Sequence, residues 1–202
     1  MRQNAARPTA VTTTAAMLAA ALVTAVTLAA AVALALPAAG AAARTATAPG
    51  PWAEQVCAAL ADWSAATQQK AATLKQKLNP ESLPQARAAF SRFLDDVVHE
   101  TDRMIVRVDI AGTPAIRSGP AIRQRLRALL VRARGLIADA RRTAAGLSLT
   151  DRARFAKGAG SIGDSIGAQF DALGGAFDQL DRAYPSPALD RAVSHAASCK
   201  GL

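Results

Sequence analysis

Aromatic side chains are scarce in this sequence: two tryptophans, one tyrosine and five phenylalanines make up 4% of its 202 residues. Half the chain, 51%, is nevertheless hydrophobic, because alanine supplies much of the apolar count. Alanine-rich, aromatic-poor chains with many leucines and arginines favour helix over sheet. Histidine and cysteine are scarcer still, with two of each. Two isolated cysteines make a metal site implausible, since structural zinc needs four clustered ligands. His99 and His195 lie far apart, and Ser194 and His195, adjacent on a helix, point different ways and form no catalytic pair. No glycine-rich phosphate loop, paired CxxC or nucleophile elbow is present. Asp95 and Asp96 stand one helical turn before His99 in "DDVVHE", which is half of a bundle metal site. A di-iron site needs a second such helix and two further carboxylates, and no second copy exists. No enzyme, cofactor or metal site is expected, and a metal or small-molecule carrier ranks last among the functions considered.

Acidic residues are also in deficit, 15 against 24 lysines and arginines, for a formal charge of +9. None precedes Glu54. Arg2 and Arg7 open a positive segment, and the uncharged run Ala15–Leu36 follows, ended by Pro37. Small residues then offer signal-peptidase sites after Ala41 and after Ala43, and a poorer one after Ala48, where Pro49 would follow the cut. Residues 1–43 are therefore expected to be a secretory signal. The alternative is an uncleaved anchor, since 22 apolar residues can span a bilayer. Either exports the rest of the chain. In an oxidising compartment, Cys57 and Cys199 are expected to pair, with free buried thiols or an intermolecular bridge as alternatives. The loop-entropy model gives roughly 5 kcal/mol for a bridge closing so long a loop.

Past a flexible lead expected over residues 44–51, apolar residues recur at helical spacing and nowhere at strand spacing. The first helix is expected from Trp52 to Leu78 on the stripe Val56, Leu60, Trp63, Thr67, Ala71 and Leu74. Asn79-Pro80-Glu81 stops it, and Ser82 with Gln85 offers a further capping box. A second helix carries Phe90, Phe93, Leu94, Val97, Thr101, Ile105 and Val108, and "DIAGTPAIRSGP" over 109–120 reads as a loop. A third has Ile122, Leu126, Leu129, Ala133 and Leu136 in four–three steps, ending at Gly146. Ser148 with Asp151 is a capping box for a fourth, on Phe155, Ile162, Ile166, Phe170 and Leu180. Ser186-Pro187 caps a short last helix reaching Cys199. These patterns predict one all-α domain over 52–202. It is an antiparallel up-and-down four-helix bundle with a short fifth helix, and an even number of passes brings Cys199 back to Cys57.

The expected export segment, "PWAEQVCAAL", a central "AGTP" loop and a terminal "ASCKGL" resemble small secreted helical proteins of actinobacteria. The resemblance covers Trp52 to Leu202. It implies export and a disulfide-linked helical fold, and implies no activity.

The functional lead is the third helix. From Arg117 to Arg142 there are eight arginines and one acid, Asp139. Arg127, Arg134 and Arg141 form a column with steps of about 10 Å, and Arg125 and Arg132 a second on the opposite flank of the apolar stripe. Guanidinium forks match phosphate and carboxylate oxygens, so the expected ligand is an anionic cell-wall polymer or membrane lipid. Nucleic acid is disfavoured because no aromatic rings interleave the arginines. The competing reading is a solvated or ion-paired surface. Asp164, Asp171 and Asp178 repeat every seven residues on the fourth helix, but a helical wheel turns them away from the third. A second function, binding another envelope protein or a second copy of the chain, rests on the helical surface. Glycines 158, 160, 163, 167, 174 and 175 on the fourth helix are expected to serve tight packing, inside the bundle or against a second copy, rather than a mobile or membrane-inserting segment.

Overall fold

The computed structural model describes residues 46–77 and 82–200. The expected signal or anchor, Leu78 and the Asn79-Pro80-Glu81 stop lie outside the described residues. The chain runs through β1 (Ala46–Thr47), α1 (Pro49–Lys77), α2 (Leu83–Ala111), β2 (Thr113–Pro114), α3 (Gly119–Ala145), α4 (Arg152–Ala183) and α5 (Pro187–His195), closing with a 3₁₀ turn at Ala197–Cys199. The structure is mostly helical, as the 3.6-residue periodicity predicts. Successive helices pack together, α1 on α2, α2 on α3 and α3 on α4, while α5 and the 3₁₀ turn fold back on α1.

Ion pairs set the register. On α1 and α2 they join Asp62 to Arg107, and Lys70 to Asp96 and Glu100. Rising numbers on one helix meet falling numbers on the other. Two apolar clusters fill the interior. One gathers Trp52, Val56, Met104, Val108, Ile122, Leu126 and Leu189 around the cysteines. The other gathers Phe90, Phe93, Leu94, Val97, Ile137, Ile162 and Ile166. Phe170 packs against both and stacks on Trp63, ring centroids 6.4 Å apart. The Trp63 indole N–H donates to Thr101 Oγ1 at 3.0 Å, and that hydroxyl donates to the Val97 carbonyl at 2.7 Å, so the polar atoms of this buried pair are satisfied.

Cys57 and Cys199 are bonded, with Cα atoms 5.0 Å apart. Ser198 reinforces the closure: its N–H donates to Glu54 Oε1 at 3.2 Å and its hydroxyl to the Glu54 carbonyl at 2.8 Å. Hydrogen bonding from Ser198 holds the Glu54 carboxyl below its ordinary pKa.

Four expectations are corrected. The lead is ordered from Ala46 on. Ala46 pairs with Thr113 and Thr47 with Pro114 in parallel register, the Thr47 hydroxyl donates to the Ala111 carbonyl at 2.8 Å, and α1 begins at Pro49. A two-residue strand is too short for periodicity to reveal. The loop between α2 and α3 shrinks to 112–118, held by Gly112 at φ 78° and by Gly119, where a Cβ would lie 2.0 Å from the Pro114 carbonyl oxygen. Asp151 rather than Ser148 caps α4, accepting from the Arg154 N–H at 3.0 Å, while Ser148 Oγ accepts from the Asp151 N–H at 3.0 Å. The last helix stops at His195, because Ala196 turns extended and leads into the 3₁₀ turn that delivers Cys199. Ser82 does stand at the N-cap of α2, but its side chain makes no capping bond. Ser186 caps α5 as expected, accepting from the Ala188 and Leu189 N–H groups at 3.1 Å each.

Candidate anion-binding face

The five arginines singled out on α3 fall into two groups. Arg127, Arg134 and Arg141 each meet an aspartate of α2. Arg127 Nε donates to Asp109 Oδ2 at 2.9 Å, Arg134 grips Asp102 with two bonds of 2.8 and 3.1 Å, and Arg141 Nε lies 2.5 Å from Asp95 Oδ1. Arg123 adds a longer contact of 3.4 Å to Asp109. Asp95, Asp102 and Asp109 are themselves seven residues apart, so two heptad columns mesh as a three-rung ladder along the α2–α3 seam. The Arg134 guanidinium holds the Asp102 carboxyl below its ordinary pKa despite partial burial, and the aspartate raises that of Arg134. The rungs are solvent-exposed, about 40–45% for Arg134 and Asp102, so each contributes at most about 1 kcal/mol.

The second column is different. Arg125 sits over the Tyr184 ring, 5.3 Å from its centroid, at the C-cap of α4. Arg132 is exposed and has no ion pair among the described residues. The unpaired cationic column therefore consists of Arg125 and Arg132, while the longer column is already neutralised.

The α2 aspartates escaped the sequence reading although their heptad was legible. On α4, Asp164, Asp171 and Asp178 are exposed and without ion pairs among the described residues, turned away from α3 as the wheel predicts. The packing expected for the α4 glycines holds at Gly158, where a Cβ would lie 2.6 Å from Leu147 Cδ2. At Gly160, Gly167 and Gly175 a Cβ would meet nothing within 4 Å, so the chain's own fold does not require them.

His99 and His195 are both exposed. Of the carboxylates before His99, Asp95 is engaged by Arg141, and Asp96 lies 3.7 Å from Lys70. No group of three or more metal-ligating side chains occurs among the described residues. An open groove of about 600 Å³ runs between α3 and α4 over Leu136, Thr143, Ser161, Ile162, Ser165 and Gln169. A smaller one, about 380 Å³, lies beside Cys199 between Asp181, Pro185 and Asp190. Ser194, which also lines it, donates its hydroxyl to the Arg191 carbonyl at 3.0 Å. Val106 (56% exposed), Ile110 (74%) and Val131 (43%) stand out as large apolar side chains in water. The rungs Asp102–Arg134 and Asp109–Arg127 bracket Val106 on α2 and Val131 on α3. No helix among the described residues is long and apolar enough to cross a membrane. Comparison with protein-family models, curated proteins and solved structures finds no match to this chain.

Proposed function

We propose that this chain is an exported, non-enzymatic helical module that binds an anionic polymer or lipid of the cell envelope through the outer face of α2 and α3. In this reading residues 1–43 direct export, or the run 15–36 remains as an anchor with the domain outside. The four long helices form an antiparallel up-and-down bundle, supported by the opposed numbering of its ion pairs. Resemblance to small secreted actinobacterial proteins supports the export. One observation carries the ligand class: Arg117, Arg125 and Arg132 have no ion pair among the described residues, while the other five arginines between Arg103 and Arg134 are paired with acids. Such a surface attracts polyanions in a salt-dependent way.

The structure changes which arginines the test removes. Low-salt binding to inorganic polyphosphate and to phosphatidylglycerol vesicles should weaken steeply with added salt. It should weaken more in Arg125→Gln/Arg132→Gln than in Arg127→Gln/Arg134→Gln/Arg141→Gln, whose side chains are occupied by aspartates. Absence of low-salt binding to both probes overturns the reading. A second reading, a protein-binding or self-associating module, is favoured by α4, where Gly160, Gly167 and Gly175 leave open backbone beside Asp164, Asp171 and Asp178, which have no ion pairs among the described residues. Binding to a protein there should survive loss of the arginines.

A further inference from the structure

We infer that the end of the molecule carrying the β1–β2 pair lies against an anionic lipid bilayer, with Ile110 and Val106 entering its headgroup region. This rests on the anion-binding reading and narrows its ligand to lipid. Three observations converge on that end. Ile110 and Val106 occupy successive turns at the C-terminus of α2 and are 74% and 56% exposed, and Val131 on α3 is 43% exposed. A hydrated polymer gives such side chains nothing to bury against, whereas a bilayer does. The arginine-rich stretch from Arg103 to Arg134 comprises the last turns of α2, the β2 loop and the first half of α3; Arg103, Arg107, Arg123, Arg127 and Arg134 are ion-paired there, and Arg117, Arg125 and Arg132, without an ion pair among the described residues, are the cations this side offers. Arg117, in that loop, is exposed and has no ion pair among the described residues. Basic side chains near a membrane surface are attracted to anionic headgroups within about a Debye length.

The third observation is where the chain comes in. Ala46 pairs with Thr113, and the Thr47 hydroxyl bonds Ala111, the residue after Ile110. Nine residues, 37–45, separate Ala46 from the apolar run Ala15–Leu36. Fully extended they reach at most about 30 Å. Where that run stays as an anchor, it holds the β1–β2 end close to the membrane. The apolar residues and the positive charge are thus on the side from which the lipid is approached.

A tryptophan reporter tests this on the full chain, in whichever processed form export yields. Trp52 and Trp63 are buried and give a fixed background. In Ile110→Trp, adding phosphatidylglycerol vesicles at low salt should shift emission to the blue, with phosphatidylcholine vesicles giving little shift and added salt reversing it. Leu149→Trp, an exposed apolar position beyond the opposite end of α3, should give no shift. In a chain that has lost residues 1–43, Ile110→Asp should weaken vesicle binding about tenfold, the change expected from denying one isoleucine apolar burial. Ile110 is too exposed for that change to disturb the core, and an unaltered thermal unfolding midpoint checks it. Polyphosphate binding that responds to the Arg125 and Arg132 changes, combined with no shift at position 110 or an equal shift at 149, overturns the lipid orientation while leaving the anion-binding reading intact. No binding to polyphosphate or vesicles removes both.

Discussion

At the scale of single residues, Asp102 shows how a surface charge enters the stability of this protein. Its carboxyl is held below its ordinary pKa, first by hydrogen bonding from Arg134. The ionised rung therefore stabilises the fold at pH values above the unfolded carboxyl's pKa, about 3.9. That stabilisation disappears as pH falls through the lower folded value. Unfolding stability should be flat near neutrality and decline in acid, and Asp102→Asn should remove about 0.5 kcal/mol at pH 7 and flatten the acid decline. Urea denaturation of both proteins between pH 3 and 7 measures this; equal acid slopes would place the pH dependence on other groups. The arginine columns illustrate a limit of reading residues one helix at a time. Their number and spacing are plain in the sequence, but occupancy depends on which neighbouring helix turns acids toward them.

At the scale of elements, much of the helical content is legible because each stripe repeats over several turns. Leu94 and Ile122, placed inward by spacing alone, are almost fully buried. Short elements are not legible. β1 exists through backbone bonds to Thr113, Pro114 and Ala111, and no side-chain pattern announces two residues of strand. Ser148 and Asp151 both suit the cap of α4 by sequence, and backbone geometry gives the role to Asp151, three residues on. Ser186 had less competition, its serine–proline pair marking one start. Replacing Ser186 by Ala should cost about 1 kcal/mol by leaving two N–H groups without their acceptor. Because Ser186 is fully buried and opens the element whose Leu189 is also fully buried, the loss should appear as faster hydrogen exchange in α5 before α1 to α4.

For the whole molecule, the cysteine pair ties its final turn to its first helix across 142 residues of sequence. Pairing of the two cysteines is legible from their places at either end of the helical region, and the bond joins α1 to the final 3₁₀ turn. Cys57→Ser/Cys199→Ser should lower the urea midpoint by an amount corresponding to about 2–5 kcal/mol. A double variant as stable as the parent would mean that the Ser198–Glu54 bonds and Leu189 hold the closure unaided.

The α2–α3 ladder has a translational symmetry. Its acids and its arginines share the same seven-residue spacing, so sliding one helix past the other by a heptad breaks all three rungs and forms two new ones. Charge pairing alone thus leaves two neighbouring alignments close in energy, about 10 Å apart along the seam. What singles out the native alignment are features that occur once: the apolar side chains of α2 and α3 that share the two clusters, and the strand pair at the foot of α3. The repeated charges act as a rail, and the unrepeated contacts as its stops.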